Sequence, residues 1–441
     1  MVKYFIYPQG ANGVSIAEFI DIYYRGIKYF FIDDKDSSKS LDKSLAKIGK
    51  QDIVLNASSR YYDKLANKLE ENNLNYINGI KWCGDCINNK ITEIKRETNK
   101  QFIGIVISNQ FIENHFVGID RDLKNLGYEI IYFVFTRELY DKYIKKGLCF
   151  FAPHSILEEI VGMDLMILAN GEPTSDKVVS VDLTHGYQGM SIIPFMQIDN
   201  FFMYKALSKL NYKIAGSKRI CDIDRQYFDS LGVDTKILPC GYLKLDKDSL
   251  EYEEYMKQYP PSYVIDEEYV IIAFTFCNDL NIYKLLIKAI SKAQKKIVIL
   301  PHPVFAEEIL KKLEHVIKDN GIFLKKDFNS KMEIFALSCC LITDCSSMGY
   351  TYPLTTKKPT IIFSKDRDRY FESNHSRGYF DTRIHYFCSD SEEVEIVLKE
   401  IAKNKQNYEN RIVDYRKNEC FHFGNSKKQL LAWIDKYLKE R

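Results

Sequence analysis

The sequence predicts an α/β protein built from Rossmann-like units, each a parallel sheet covered by helices. Short apolar runs rich in β-branched and aromatic residues, such as Phe102 to Ile107 and Lys296 to Leu300, read as strands buried on both faces. Each run is followed by a polar or glycine-containing turn and then a helical pattern, the alternation that builds parallel sheets. The alternation restarts near residues 100 and 266. Three units are therefore expected, a small one over 1–95 and larger ones over 100–250 and 266–441.

At 441 residues the chain exceeds one typical domain, and 46% hydrophobic with 28% charged residues provides ample core. The net charge of +2, from 62 basic and 60 acidic residues, argues against broad nucleic-acid binding. The lack of a bilayer-length apolar run or a signal-peptide pattern predicts a cytoplasmic protein. Eleven cysteines, scattered through predicted strands and helices, read as reduced and mostly buried thiols. Cys83-Gly84-Asp85-Cys86 has the spacing of a redox motif. It lacks a preceding buried strand, and no second CxxC completes a zinc site, so a loop or helix-start coincidence is expected.

In the first unit, Lys3 to Tyr7 reads as a strand, Pro8 to Ser15 as a glycine loop and Ile16 to Tyr24 as a helix. Tyr29 to Ile32 and Asp52 to Leu55 add strands. The loop carries GxxG instead of GxGxxG, so a tight turn packed on the sheet is expected over a dinucleotide site. Asp33 and Asp34 read as solvated acids, and Asn88 to Lys100 as a linker. The second unit continues with strands at Glu129 to Val134, Asp164 to Leu168, Val178 to Leu183, Tyr212 to Ala215 and Thr235 to Leu238, and a helix that ends at Gly232. Glu251 to Asp266, with Pro260-Pro261, reads as a connection. The third unit has strands at Tyr269 to Phe274, Ile322 to Leu324 and Thr360 to Phe363, and helices over Leu280 to Ala293, Phe305 to Asp319, from Glu392 and from Ser426.

Three polar segments fall just after strands, where open α/β sheets bind ligands. Thr184-His185-Gly186-Tyr187-Gln188-Gly189 places an imidazole, which takes a proton near neutral pH, among glycines that permit a sharp turn. Pro301-His302-Pro303 holds a histidine in a loop stiffened on both sides, able to donate to a phosphate oxygen or protonate a leaving group. Thr343-Asp344-Cys345-Ser346-Ser347 runs from a strand into a helix beginning near Met348, so hydroxyls, backbone N–H groups and the positive helix end point at one place suited to phosphate. Ser346 lacks the GxSxG elbow of a hydrolase nucleophile, so the hydroxyls read as binding groups. Asp344 reads as orienting the loop, with no second acid beside it to cage a metal.

Taken in order, Thr184-His185-Gly186, Gly241-Tyr242-Leu243-Lys244-Leu245-Asp246, Leu300-Pro301-His302-Pro303, Thr343 to Ser347 and Lys358-Pro359-Thr360-Ile361-Ile362-Phe363 resemble the CDP-glycerol glycerophosphotransferases of teichoic-acid and capsule assembly. Phe421 to Ser426 is similar to that family's closing segment. The resemblance covers about residues 100 to 441. It implies a GT-B-like fold, two Rossmann-like domains facing across a cleft, with the acceptor in the unit over 100–250 and a CDP-linked donor in the unit after 266. It implies His185 as the base and His302, Ser346 and Ser347 as pyrophosphate ligands, with Gly186, Thr275, Asp344 and Lys244 among the substrate- or nucleotide-binding positions. It also implies a glycan or lipid-linked acceptor and a peripheral contact at the inner face of the cytoplasmic membrane, and leaves room for a divalent cation. Phe201 to Lys209, basic and aromatic, is one candidate for that contact, although such a stripe more often packs on a core. Lys244 stands where the family tends to have Arg, and Cys345 where it tends to have an aromatic. Lys keeps the charge of Arg and loses its bidentate fork. Two rivals accompany this reading: a GT-B glycosyltransferase using a CMP-activated sugar such as sialic acid, and a non-catalytic nucleotide- or glycan-binding scaffold.

Overall fold

A computed structural model describes residues 2–440 except 197–199, 260–267, 278, 303–305 and 372–377, with backbone alone at 200–203 and 306. Three parallel sheets follow one another along the chain. The first has four strands, β1 Tyr4–Tyr7, β2 Tyr29–Phe31, β3 Ile53–Asn56 and β4 Tyr76–Asn78, in the order β2-β1-β3-β4. The second has seven, β5 Phe102–Ile107, β6 Glu129–Val134, β7 Leu148–Phe151, β8 Leu165–Leu168, β9 Ser180–Asp182, β10 Tyr212–Ile214 and β11 Lys236–Leu238, in the order β11-β10-β9-β8-β5-β6-β7. The third has six, β12 Tyr269–Ile272, β13 Lys296–Ile299, β14 Phe323–Leu324, β15 Ser338–Thr343, β16 Thr360–Phe363 and β17 His385–Cys388, in the order β14-β13-β12-β15-β16-β17.

In each sheet the chain moves outward to one edge and then returns to build the other, which leaves a switch point between β1 and β3, β5 and β8, and β12 and β15. Loops part there, and ligands fit between them. In the third sheet the parted loops carry Thr275 on one side and Asp344 to Ser347 on the other. β5, β8, β15 and β16 are buried along their whole length, which is why they read as unbroken apolar runs.

The units share cores. Phe19, Ile80, Ile87 and Ile91 from the first unit pack with Phe102, Phe133 and Ile156 under the second sheet. On that sheet's other face, Ile214, Tyr242, Leu430 and Ile434 form one cluster with Tyr350, Ile362 and Tyr379 of the third unit. The last helix, Ser426–Lys439, therefore belongs to the second sheet, where Gln101 Nε2 donates to the Leu438 carbonyl at 2.8 Å and Tyr128 to Asp435 at 2.8 Å.

Several expectations are corrected. Asn88 to Thr98 is no linker but the end of one long helix, Gly79–Thr98, whose buried Ile87 and Ile91 face the shared core. Cys83 and Cys86 lie inside that helix, and burial drives the Cys83 thiol well above its ordinary pKa. The first glycine loop is shorter than expected, since the helix Ala11–Tyr23 begins before Gly13; a Cβ there would meet the Pro8 carbonyl oxygen at 2.2 Å. Glu251 to Met256 continues the helix Leu243–Met256, while Pro260 to Asp266 lies outside the described residues. Lys205 and Lys209, in the stretch considered for a membrane contact, both pair with Glu158, at 3.1 and 2.6 Å. Among the described residues no helix is long and apolar enough to cross a membrane.

Lys358 shows how a charge can serve the core. Its buried ammonium donates to the carbonyls of Phe335, Ala336 and Ser338 at 2.9, 2.8 and 2.7 Å, which closes the negative end of the helix Lys331–Leu337 just before β15. Replacing it by Met would strand those acceptors, so Lys358→Met should lower stability by roughly 2–4 kcal/mol, read as a fall in urea midpoint at constant m. A loss under about 1 kcal/mol would mean that water replaces the ammonium.

Candidate active site

At the switch point of the third sheet, Asp344 accepts the backbone N–H groups of Thr275 at 2.9 Å, Phe276 at 2.7 Å and Cys277 at 3.3 Å. Burial raises its pKa against the pull of those donors. Its carboxylate thus fastens the two loops of the crevice to each other and serves to position them. Thr275 follows as a half-buried residue whose N–H is part of the same clasp.

Ser346 and Ser347 stand half-buried at the start of the helix Met348–Thr356. The Ser347 side chain makes no capping bond, and Ser346 Oγ takes only a long bond, 3.3 Å, from the Met348 N–H. The hydroxyls therefore remain beside the positive end of a nine-residue helix. Their turn is fixed from behind. Tyr379 donates to the Ser346 carbonyl, Tyr350 donates to the Tyr379 carbonyl at 2.5 Å, and His385 bridges the Gly349 carbonyl and the Asp381 N–H at 2.9 and 3.1 Å. With one ring nitrogen donating and the other accepting, His385 is a neutral structural residue, and burial holds its pKa at about 4.

His185 comes from the second sheet. It is an exposed residue three positions after β9. Burial, then the charges of Lys213 and His302, lowers its pKa. His302, half-buried after β13, is lowered by burial and feels the opposing charge of Asp344, so it belongs with the third-sheet crevice. Pro303, its expected second clamp, lies outside the described residues.

The loop carrying His185 is built for one position. Thr184 has φ +51°, held by its N–H on Asp182 at 2.8 Å and its hydroxyl on the Gly186 carbonyl at 3.2 Å. Gly189 has φ +54°, and a Cβ there would lie 2.4 Å from Asp224 Oδ1. Asp224 in turn accepts the Met190 N–H at 2.7 Å and forms a buried pair with Lys213. Gly186 has no such backbone need; a Cβ there would only press on the Gln188 side chain.

A third histidine joins them. His115, on the short helix Glu113–Phe116 after β5, has its ring centroid 6.3 Å from that of His185, edge to face. Tyr242 donates its single hydroxyl proton to the His185 carbonyl at 3.0 Å, so His115 Nδ1, 3.2 Å from that hydroxyl oxygen, must be the donor, and its Nε2 keeps a lone pair. Burial, Lys244 and His185 push the His115 pKa down to about 3. Lys244 does not stand alone: its ammonium pairs with Asp248 at 2.7 Å, and Lys331 meets the same oxygen at 2.9 Å. His115, Tyr242 and Lys331 were missed in the sequence as individual site residues because their partners are distant along the chain.

The two halves of the cleft are joined by Tyr187 and Tyr350, whose rings lie 5.4 Å apart. One is two residues after His185, the other three after Ser347. The Gly241 and Phe421 segments meet as well: a Cβ on Gly241 would lie 2.5 Å from the Phe421 carbonyl oxygen, and Asp246 accepts the Gly424 and Ser426 N–H groups at 2.8 and 2.6 Å. These motifs hold the closing segment in place. Among the described residues no three His, Cys, Asp or Glu side chains gather as a metal site. What the cleft provides is a neutral imidazole able to accept a proton, and hydroxyls, histidine and a helix end able to hold an anion.

Comparison with known proteins agrees with this geometry. The family model described as CDP-Glycerol:Poly(glycerophosphate) glycerophosphotransferase matches residues 207–435. No curated protein matches the chain. Among solved structures, the wall teichoic acid polymerase TagF is similar at 16% identity and a TM-score of 0.52, over 82% of this chain and 98% of that one. A variant of TagF soaked with CDPG aligns with a TM-score of 0.50 at 16% identity, over 82% and 99% of the two chains. A putative UDP-N-acetylglucosamine 2-epimerase from Listeria monocytogenes reaches 0.53 at 11% identity, over 78% and 97%. At such identities the likeness is one of fold, and it places the chain in the GT-B-like class.

His115 and His385 are both held neutral below the ordinary value of 6.5. The unfolded chain takes up protons that the folded chain refuses, so stability is full above pH 6.5 and falls as pH drops toward 4 and then 3, by about 1.4 kcal/mol per pH unit for each group. His385→Gln should remove one group's share of that slope in urea midpoints measured from pH 7 to about 4. An unaltered slope would show that His385 is protonated in the folded protein.

Proposed function

Because the chain belongs to the CDP-glycerol:poly(glycerophosphate) glycerophosphotransferase family, we propose that it transfers a polyol phosphate, glycerol phosphate or a close relative, from a CDP-linked donor to a hydroxyl of a cell-envelope glycan or lipid-linked acceptor and releases CMP. The observation that supports the reading most is the Tyr187–Tyr350 ring contact at 5.4 Å, which joins the loop of His185 to the helix that follows Ser347. The six-stranded unit takes the donor at its β12–β15 switch point, and the seven-stranded unit presents the base to the acceptor. A lipid-linked acceptor would bring the protein to the inner face of the cytoplasmic membrane.

His185, neutral at physiological pH because its pKa is lowered, accepts the proton of the acceptor hydroxyl. The acceptor oxygen forms a bond to the β-phosphorus of the donor, and the bond from that phosphorus to the bridging oxygen breaks. The electron pair leaves with CMP. His302, the Ser346 and Ser347 hydroxyls and the helix end take up the charge that gathers on the phosphate oxygens. Phosphoryl transfer asks mainly for positioning and charge neutralisation, which is what this cleft offers. The CMP-sugar rival finds no support in the matched family, whose description names a glycerophosphotransferase.

CMP release should be followed with CDP-glycerol, CDP-ribitol and a CMP-sugar, each with an acceptor glycan; turnover with the CMP-sugar alone would replace the proposal. With the active donor, His185→Ala should cut kcat by about 10²- to 10⁴-fold and leave donor affinity nearly intact. Ser346→Ala with Ser347→Ala should chiefly raise the donor KM. Loss of donor binding in His185→Ala with normal turnover would reverse the roles.

A further inference from the structure

β10 carries a charge inside the sheet. Lys213 keeps 1% of its side-chain surface and pairs with Asp224, of the helix Lys218–Leu231, which keeps none. In the parallel pairing of β9 with β10, Lys213 lies opposite Asp182, so the two side chains leave the same face of the sheet. Burial raises the Asp182 pKa, and the charge of Lys213 is the largest influence against it. Asp182 and Asp224 in turn hold the two ends of one loop. Asp182 accepts the Thr184 N–H at 2.8 Å, one residue before His185, and Asp224 accepts the Met190 N–H at 2.7 Å, five residues after it. Between those ends Tyr242 donates to the His185 carbonyl at 3.0 Å.

Stability alone does not call for this arrangement, since a buried ion pair is often no better than apolar residues of the same volume. What the charges supply is geometry. Two buried carboxylates repel, yet each has to remain an acceptor for a loop N–H, and an ammonium shared by them satisfies both conditions. Asp182 also acts on Glu172, a third buried carboxyl in the loop after β8, so Lys213 is the counter-charge for a cluster of acids. Without it these acids take up a proton or move apart, and the loop that hangs on them moves too. The lysine also reaches the base itself. His185 is faced by Lys213 from β10, His302 from the third sheet and His115 from the helix after β5, and after burial Lys213 acts on it most.

We propose that Lys213 is the positioning residue of the base: through Asp182 and Asp224 it fixes both ends of the loop over 184–190 and so holds the His185 imidazole at one place. The inference rests on the reading of His185 as the base and adds what sets it. Lys213 itself touches no substrate. Tyr212-Lys213-Ile214 reads in sequence as an ordinary strand, and the role emerges only from the partners that packing brings to it.

The test uses the full chain with CDP-glycerol and an acceptor glycan, and proton–carbon spectra of histidine-labelled protein in which His185 is assigned by its loss in His185→Gln. Lys213→Met should lower kcat about ten- to a hundredfold with the donor KM little changed, since a shift of about 1 Å in a reacting group costs that much. Removing the positive charge should also raise the pH at which His185 titrates, by about half a unit or more, toward the ordinary value. The acid limb of kcat/KM should move up with it, because the base works only when deprotonated. Lys213→Met with Asp224→Asn removes one charge of each sign, keeps an amide oxygen for the Met190 N–H, and carries the test if thermal melts show the single variant unfolded. It should show the same raised titration. A folded variant whose kcat and His185 titration match the wild type, or whose donor KM alone rises, would overturn the inference and leave the transferase reading standing. A wild type that turns over no CDP-polyol would overturn both, whatever the spectra show.

Discussion

The contact between Tyr187 and Tyr350 is the constraint on which the site depends. It joins the loop of His185 to the helix that begins at Met348, directly after Ser347, and so sets how the second and third sheets face each other. Each ring is almost fully buried, and each is tied to further structure, Tyr187 to Cys420 and Tyr350 to the Tyr379 carbonyl. Buried aromatic side chains of this size are worth about 3–5 kcal/mol on truncation. Chemistry that requires groups from two sheets to meet at one phosphorus needs such an anchor, since a misplacement of about 1 Å can cost a hundredfold in rate.

The histidines divide the labour according to their surroundings. His385 is enclosed and satisfied on both nitrogens, and it supports the serine turn. His115 is held neutral and supports the loop of His185 through Tyr242. His185 and His302 follow β9 and β13, at the carboxyl ends of strands in the second and third sheets. The nearby ammonium groups are paired, Lys213 with Asp224 and both Lys244 and Lys331 with Asp248. Burial first, and the charges of Lys213 and His302 after it, keep the His185 imidazole deprotonated.

Much of the fold was legible because fully buried parallel strands leave unbroken apolar runs, as at β5, β15 and β16. Edge strands divided: β2, β11 and β14 were read from the sequence, whereas β4, β7 and β17 left no comparable signal. The Asn88 to Thr98 segment looked like a linker because its helix buries few residues there and exposes a long polar face. Histidines flanked by proline or glycine could be picked out, since those neighbours report a loop. His115 could not, because its importance comes from Tyr242, distant in sequence, and Lys331 because Asp248 is 83 residues away. Side chains recruited by tertiary packing leave no local mark.

The central claim is that one diphosphate is held between His302 and the Ser346–Ser347 turn with its reacting phosphorus toward His185. A crystal structure of the protein soaked with CDP-glycerol tests it most directly. The account predicts the cytidine and diphosphate at the β12–β15 crevice, with the β-phosphate turned to His185 and His115 behind that imidazole. Density for the diphosphate away from Ser346 and Ser347, or a β-phosphate facing away from His185, would contradict it.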